Sequence, residues 1–237
     1  MSSKNKQKQQ PPECRLRFSP YAWAKLVFMR DQTDNEVGAF GITRTNDLLF
    51  VEDIVIVKQK VSIVTVSFDD LAVADFFENQ VDLGRKPEQF ARLWLHTHPG
   101  SSPAPSLTDE DTFRRVFGSC DWSVMCILAQ EGKTFARLHF KAGPSGDIHI
   151  PVCVDYSCEF AGSDMKAWQA EYKKNVKQER RSLPMAEPLE LLGCDAMLPD
   201  DILEQLDQMD SDERQQYMEE LEIQSEFWDE EMGVFYE

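Results

Sequence analysis

The sequence predicts an α/β domain, on three observations. Runs rich in β-branched residues are separated by turn formers, the stretches between them carry apolar residues at helical spacing, and 42% of the 237 residues are hydrophobic. That is enough apolar side chain for one large domain, or one domain with an appendage.

Residues 1–13 are polar, carry two adjacent prolines and offer nothing to bury, so a disordered arm is expected there. Ser19 as N-cap and Pro20 at the first helical position open a helix through Met29, with Tyr21, Trp23, Leu26, Val27 and Phe28 supplying its apolar side. Residues 36–43, 48–57 and 61–67 read as three strands, the first two parted by Thr45-Asn46-Asp47. From Phe68 to Val81 the pattern becomes helical, with Leu71, Ala74, Phe77 and Val81 on one face. Residues 91–98 alternate as a strand until Pro99 removes a ladder donor. After a Ser/Pro loop, Thr108 opens a helix to about Phe117, with Asp111 three residues on completing a capping box. Residues 122–129, 134–141 and 148–155 are further strands, the first two joined at Glu131-Gly132. Mixed strands with helices between them make a body of residues 14–158.

Two segments follow. Residues 159–184 contain a cationic helix over 163–181, with Trp168, Tyr172 and Val176 four apart and Lys173, Lys174, Lys177, Arg180 and Arg181 at its end. Residues 185–237 form an acidic tail in which Ile202, Leu203, Leu206 and Met209, then Tyr217, Met218 and Leu221, recur at helical intervals.

The chain has 25 Lys and Arg against 42 Asp and Glu, a formal charge of −17 that argues against general nucleic-acid binding. The excess is regional. Residues 185–237 hold 18 acids and the single base Arg214, so the rest of the chain is balanced at 24 of each. The six cysteines include no Cys-x-x-Cys pair, which favours reduced, buried thiols and a reducing compartment. The opening residues have no apolar core of a signal peptide, and no apolar run approaches the ~18 residues that span a bilayer. A cytoplasmic protein without membrane or nucleic-acid partners is expected.

The chemistry concentrates in His96-Thr97-His98-Pro99, followed by Ser106 and Asp109. Positions i and i+2 of a strand share a face, so both imidazoles can reach one ion. Asp109 follows a loop long enough to fold back and supply a third, anionic ligand. Two imidazoles and a carboxylate suit Zn²⁺ and leave its fourth tetrahedral position for water, as in a catalytic site. An isolated His-x-His pair is common on surface strands. Glu36 also reads as an exposed strand carboxylate with Glu52 and Glu88 as rivals, Ser106 as a loop residue, and Asp109 as a first-turn acid favoured by the helix dipole. His139 and His149 lack partners at metal spacing and read as structural. Trp94 shares the face of His96 and His98 and is expected to pack beneath them.

At these residues the sequence resembles the JAMM (MPN+) metalloprotease family, whose signature is an upstream Glu, then His-x-His-Pro, six residues, Ser, two residues and Asp. Here His96 to Pro99, Gly100 to Pro105, Ser106, Leu107-Thr108 and Asp109 meet every spacing. Glu36-Val37-Gly38-Ala39-Phe40-Gly41 is similar to the strand bearing the family's glutamate. The resemblance covers about residues 14–155. It implies an MPN domain, a mixed, mainly antiparallel sheet flanked by helices, here with a helical acidic extension at its C-terminal side. It also implies one zinc held by His96, His98 and Asp109, with Glu36 as the general base that later delivers the proton to the departing amine and Ser106 as an oxyanion donor.

Relatives with the full set resemble isopeptidases that cut ubiquitin or a ubiquitin-like modifier from its conjugates. Residues 118–147 leave little room for the long insertion that some eukaryotic relatives use to grip ubiquitin, which points to a compact member acting on a prokaryotic ubiquitin-like protein. The resemblance leaves two other readings: an MPN− type binding module working through its tail, and a hydrolase of small peptide or amino-acid adducts. The tail itself reads three ways: a solvated extension, a brace folded back on the cationic helix, or a docking segment for a partner. Phe227, Trp228, Phe235 and Tyr236 are more apolar than solubility requires. If the tail braces the body through charge complementarity, deleting 185–237 lowers the melting temperature and opens new protease sites. An unchanged melting temperature and digestion pattern dismisses the brace.

Overall fold

The computed structural model describes residues 14–62 and 65–178; the arm 1–13, Arg180, Arg181 and the acidic tail lie outside the described residues. In chain order the elements are β1 (Leu16–Phe18), α1 (Pro20–Arg30), β2 (Val37–Arg44), β3 (Asp47–Val55), β4 (Gln59–Val61), β5 (Val66–Phe68), α2 (Asp70–Asp82), α3 (Pro87–Phe90), β6 (Leu93–Thr97), α4 (Leu107–Phe117), β7 (Trp122–Leu128), β8 (Thr134–Phe140), β9 (Gly146–His149), β10 (Val152–Val154), α5 (Met165–Asn175) and β11 (Val176–Gln178). The class is α/β, with a mixed sheet flanked by helices.

Eight strands form one sheet in the order β10-β1-β3-β2-β6-β7-β8-β9, and β11-β4-β5 form a second, smaller one. In the large sheet β6 runs antiparallel to β2 and parallel to β7. Helices cover both faces, so inner strands are buried on both sides. Leu93 and Leu95 of β6 join α1 residues Ala22, Leu26 and Met29 in one core, while Trp94 joins Phe76, Phe90, Phe113 and Phe117 of α2, α3 and α4 in the other.

The Ser19-Pro20 signal works as expected. The Ser19 hydroxyl accepts the Ala22 amide at 3.0 Å, and Pro20 occupies a position where its missing N–H has no helical partner to lose. Glu131 and Gly132 both take positive φ in the tight connection between β7 and β8.

Several elements differ from their sequence expectation, each for a tertiary reason. The run 61–67 is not one strand: β4 and β5 pair antiparallel, Val61 opposite Val66, and the Ser62 amide donates to Thr65 O where the chain reverses. Its β-branched composition carries no turn signal. On α2, Leu71 and Val81 are exposed, whereas Phe76 and Gln80 are buried with Val73 and Phe77 packed beside them. The cap of α4 is Ser106 with Asp109 as the box partner, not Thr108 with Asp111. The segment 148–155 divides between β9 and β10, which lie at opposite edges of the sheet. Pro151 stands between them with no N–H to donate, and its carbonyl accepts the Leu16 amide. The helix expected over 163–181 ends at Asn175, because the next three residues pair with β4. The five described cysteines are free thiols, but only Cys126 is buried. No helix among the described residues is long and apolar enough to cross a membrane.

Helix α5 packs on the body. Trp168 is 1% exposed, lies 5.3 Å from the Tyr21 ring and 5.7 Å from the Phe28 ring, and donates its indole N–H to Tyr21 Oη at 2.9 Å. Glu171 accepts the Ile56 amide at 2.8 Å and pairs at 2.7 Å with Lys25, a buried ammonium that also donates to Ile54 O. Trp168→Ala should therefore cost about 3–5 kcal/mol in chemical denaturation, the range for a large aromatic removed from a core. A loss below about 1 kcal/mol would show that α5 is detachable.

Candidate metal centre

Strand β6 ends at Thr97, but the His98 amide still donates to Leu128 O at 3.0 Å, extending the pairing with β7. His96 and His98 therefore keep strand alternation and share a face. Trp94, two residues before His96, stacks on its ring with centroids 4.3 Å apart, the position beneath the site expected of it.

Ser106 and Asp109 are brought up by the start of α4. The Ser106 hydroxyl accepts the Asp109 amide at 3.1 Å. In return Asp109 Oδ2 accepts the Ser106 amide at 2.8 Å and the Ser106 hydroxyl at 2.9 Å. This reciprocal box fixes one carboxylate oxygen and orients the other. Asp109 Oδ1 lies 3.1 Å from His96 Nε2, and Oδ2 lies 3.3 Å from His98 Nε2.

Among the described residues, His96, His98 and Asp109 offer ligand atoms that all lie within 4.8 Å of one another, and this buried group could bind a metal ion. A tetrahedral ion with bonds of about 2.0–2.2 Å separates its ligands by about 3.3–3.6 Å, so the cluster needs little adjustment. The polar accounting agrees. Both His96 nitrogens and His98 Nε2 are buried, and no described group meets them in hydrogen-bond geometry. Such atoms are costly to desolvate unless something binds them.

Protonation suits ligation as well. His98 Nδ1 lies 3.0 Å from Ser102 O, a group that can only accept. Nδ1 therefore donates that hydrogen bond, and in the neutral ring the lone pair falls on Nε2. Complete burial pushes the His96 imidazole below its ordinary pKa, opposing any charge on it. For Asp109 burial works the other way, but His96 and His98 outweigh it and hold the carboxyl well below the usual range. Burial thus disfavours charge on His96, and the Asp109 carboxylate is also satisfied by its two Ser106 donors.

Glu36 immediately precedes β2 and is 4% exposed. The register sets Val37 opposite Thr97 and Gly38 opposite His96, so one step outward Glu36 faces His98. Its Oε1 lies 3.3 Å from His98 Nε2, yet it stands outside the three-residue ligand group. The rival acids lie elsewhere: Glu52 pairs with Arg44 at 2.6 Å, and Glu88 sits in α3. A Cβ added at Gly38 would come within 2.7 Å of Phe68 Cζ and Val66 Cγ1, so the glycine permits the approach of β5 to β2. His139 contacts Asp147 at 3.0 Å and His149 lies edge-on to Phe135, both outside the ligand group.

Three supports escaped the sequence reading. Thr97 Oγ1 accepts the Val37 amide at 3.1 Å, Ser102 O orients His98, and Gln59 hydrogen-bonds the backbone of Gly38. Only Gln59 left a signal, as a polar residue sharing the inward parity of Val57 and Val61. No protein-family model matches the chain, and no curated protein matches it significantly.

Saturating the metal-free protein with a divalent ion at a hundredfold excess over Kd should stabilise it by about 2.7 kcal/mol, read as a rise in melting temperature. Asp109→Ala and His96→Ala should each abolish the rise. No response to zinc, cobalt or manganese would rule the cluster out as a metal centre.

Proposed function

We propose that the protein is a zinc-dependent isopeptidase of the JAMM type that hydrolyses the peptide or isopeptide bond following the C-terminus of ubiquitin or a ubiquitin-like modifier. The observation that carries this reading is the placement of Glu36: buried, 3.3 Å from His98, and outside the group formed by His96, His98 and Asp109. A carboxylate beside a metal ligand yet not itself a ligand is what a proton shuttle requires. The MPN fold is part of the same proposal, supported by the mixed sheet that joins the Glu36 strand to the His-x-His strand.

Two imidazoles and one carboxylate form a donor set of the catalytic zinc type. When bound, zinc supplies Lewis acidity and brings the pKa of water to about 7. His96, His98 and Asp109 would hold the ion, and Ser102 O and the Ser106 box fix the aim of His98 and Asp109. Glu36 takes the proton from the attacking water and returns it to the departing lysine amine, so one carboxylate serves as base and then as acid. The Ser106 hydroxyl donates to Asp109 Oδ2 in this structure, so its oxyanion role requires that hydrogen to turn towards the substrate carbonyl. An extended, glycine-rich modifier C-terminus is the substrate class, held by strand addition beside the site.

On a ubiquitin-like protein joined through its C-terminal glycine to a reporter amine, Glu36→Gln should lower the rate by about 10²–10⁴-fold while still binding one zinc. Equal rates for Glu36→Gln and the unaltered protein would reject the mechanism. A silent, binding-only site would show no zinc-dependent cleavage in either.

A further inference from the structure

Gly38 stands where β2 outruns its hairpin partner. The pairing with β3 reaches only Phe40 opposite Val55, so the first residues of β2 have β6 on one side and no strand of the large sheet on the other. The side chain of Gln59 takes that place. Its Oε1 accepts the Gly38 amide at 2.8 Å, and its Nε2 donates to Gly38 O and to Val57 O, each at 2.8 Å. One carboxamide thus pairs both polar groups of one backbone residue, as a residue of an adjoining strand would. Gln59 is 1% exposed, and its own strand is held by β5 on one side and β11 on the other.

The residue clamped in this way lies at the centre of the site's support. Across β6 it faces His96, and above it press Phe68 and Val66, which leave no room for a Cβ. Glu36 is two residues away, and its amide donates at 2.8 Å to Ser62 O, just beyond the strand that carries Gln59. The β4 segment therefore grips the Glu36 end of β2 through the Gln59 side chain and through the Ser62 carbonyl.

We propose that Gln59 is a positioning residue, its carboxamide standing in for a missing strand at Gly38 and so holding the Glu36 carboxylate against His98. This rests on the reading of Glu36 as the general base. The need for such a clamp is physical: a shift of about 1 Å in a reacting group costs about 10²-fold in rate, and a strand end paired to the large sheet along one edge only is held less firmly than one paired along both. The same clamp gives β11 and α5 a mechanical link to the site, because β4 lies between β11 and Gly38.

The test is Gln59→Met, close in length and shape but without the amide. It should lower kcat at least about tenfold with KM unchanged and one zinc still bound, the pattern of a lost transition-state arrangement. In the metal-free protein, exchange of the Gly38 amide with solvent should speed up at least about tenfold, while that of Leu95 stays slow. An unchanged kcat, or one that falls only in step with bound zinc, overturns the proposal, as does an unchanged Gly38 exchange rate. If the methionine variant does not fold, Gln59→Glu takes its place, since it keeps the acceptor for Gly38 N–H and loses the donor. An intermediate fall in kcat supports the clamp, and none overturns it. Full activity of Gln59→Met beside an inactive Glu36→Gln rejects the clamp alone. An active Glu36→Gln rejects it together with the reading it rests on.

Discussion

The register between β2 and β6 sets which side chains can meet. With Val37 opposite Thr97 and Gly38 opposite His96, the residue before β2 falls opposite His98. Slipping the pairing by one residue would turn Glu36 away from the imidazoles and bury an uncompensated carboxylate in the opposite layer. The register is held by several features at once: Leu93 and Leu95 in one core, Trp94 in the other, the Thr97 hydroxyl on the Val37 amide, and the Gln59 amide on Gly38.

Helix α4 brings the third member of the cluster, Asp109, into place by a purely local device. A capping box normally serves only to start a helix, at a value of about 1 kcal/mol. Here its acidic member is 3% exposed and aimed at His96, so the interactions that begin α4 also fix a carboxylate that could hold a metal ion. Asp109 can do both because a carboxylate has two oxygens. Oδ2 takes the Ser106 donors, and Oδ1 faces His96. Ser106 is tied to Asp109 for the same reason, so its hydroxyl already has an acceptor.

Elements with local causes were legible in the sequence. Ser19-Pro20 starts α1, strand alternation puts His96 and His98 on one face, and the small residue at 38 marks a close approach. What was not legible depends on partners distant in the chain. Helix α2 carries two overlapping apolar stripes, and the sheet chooses the one with Phe76 and Gln80, leaving Leu71 at 78% exposure. Residues 176–178 read as a continuing helix until β4 offers an edge to pair with. Gln59 shows in the sequence only its parity with Val57 and Val61, because the edge of β2 that needs it, left open where the pairing with β3 stops, is a property of the assembled sheet. The cluster of His96, His98 and Asp109 could be read from spacing, whereas the orientation of each imidazole depends on Ser102, Trp94 and the α4 cap.

The proposed function requires a mononuclear centre built from His96, His98 and Asp109 beside a Glu36 carboxylate that does not ligate. X-ray absorption of the zinc-loaded protein reads that set directly. The account predicts a four-coordinate ion with two imidazole nitrogens and two oxygens, at distances of about 2.0–2.2 Å. One imidazole should be lost in His96→Ala, and the shell should stay the same in Glu36→Gln. A sulfur ligand, a shell without imidazole, or a shell that changes when Glu36 is replaced would contradict it.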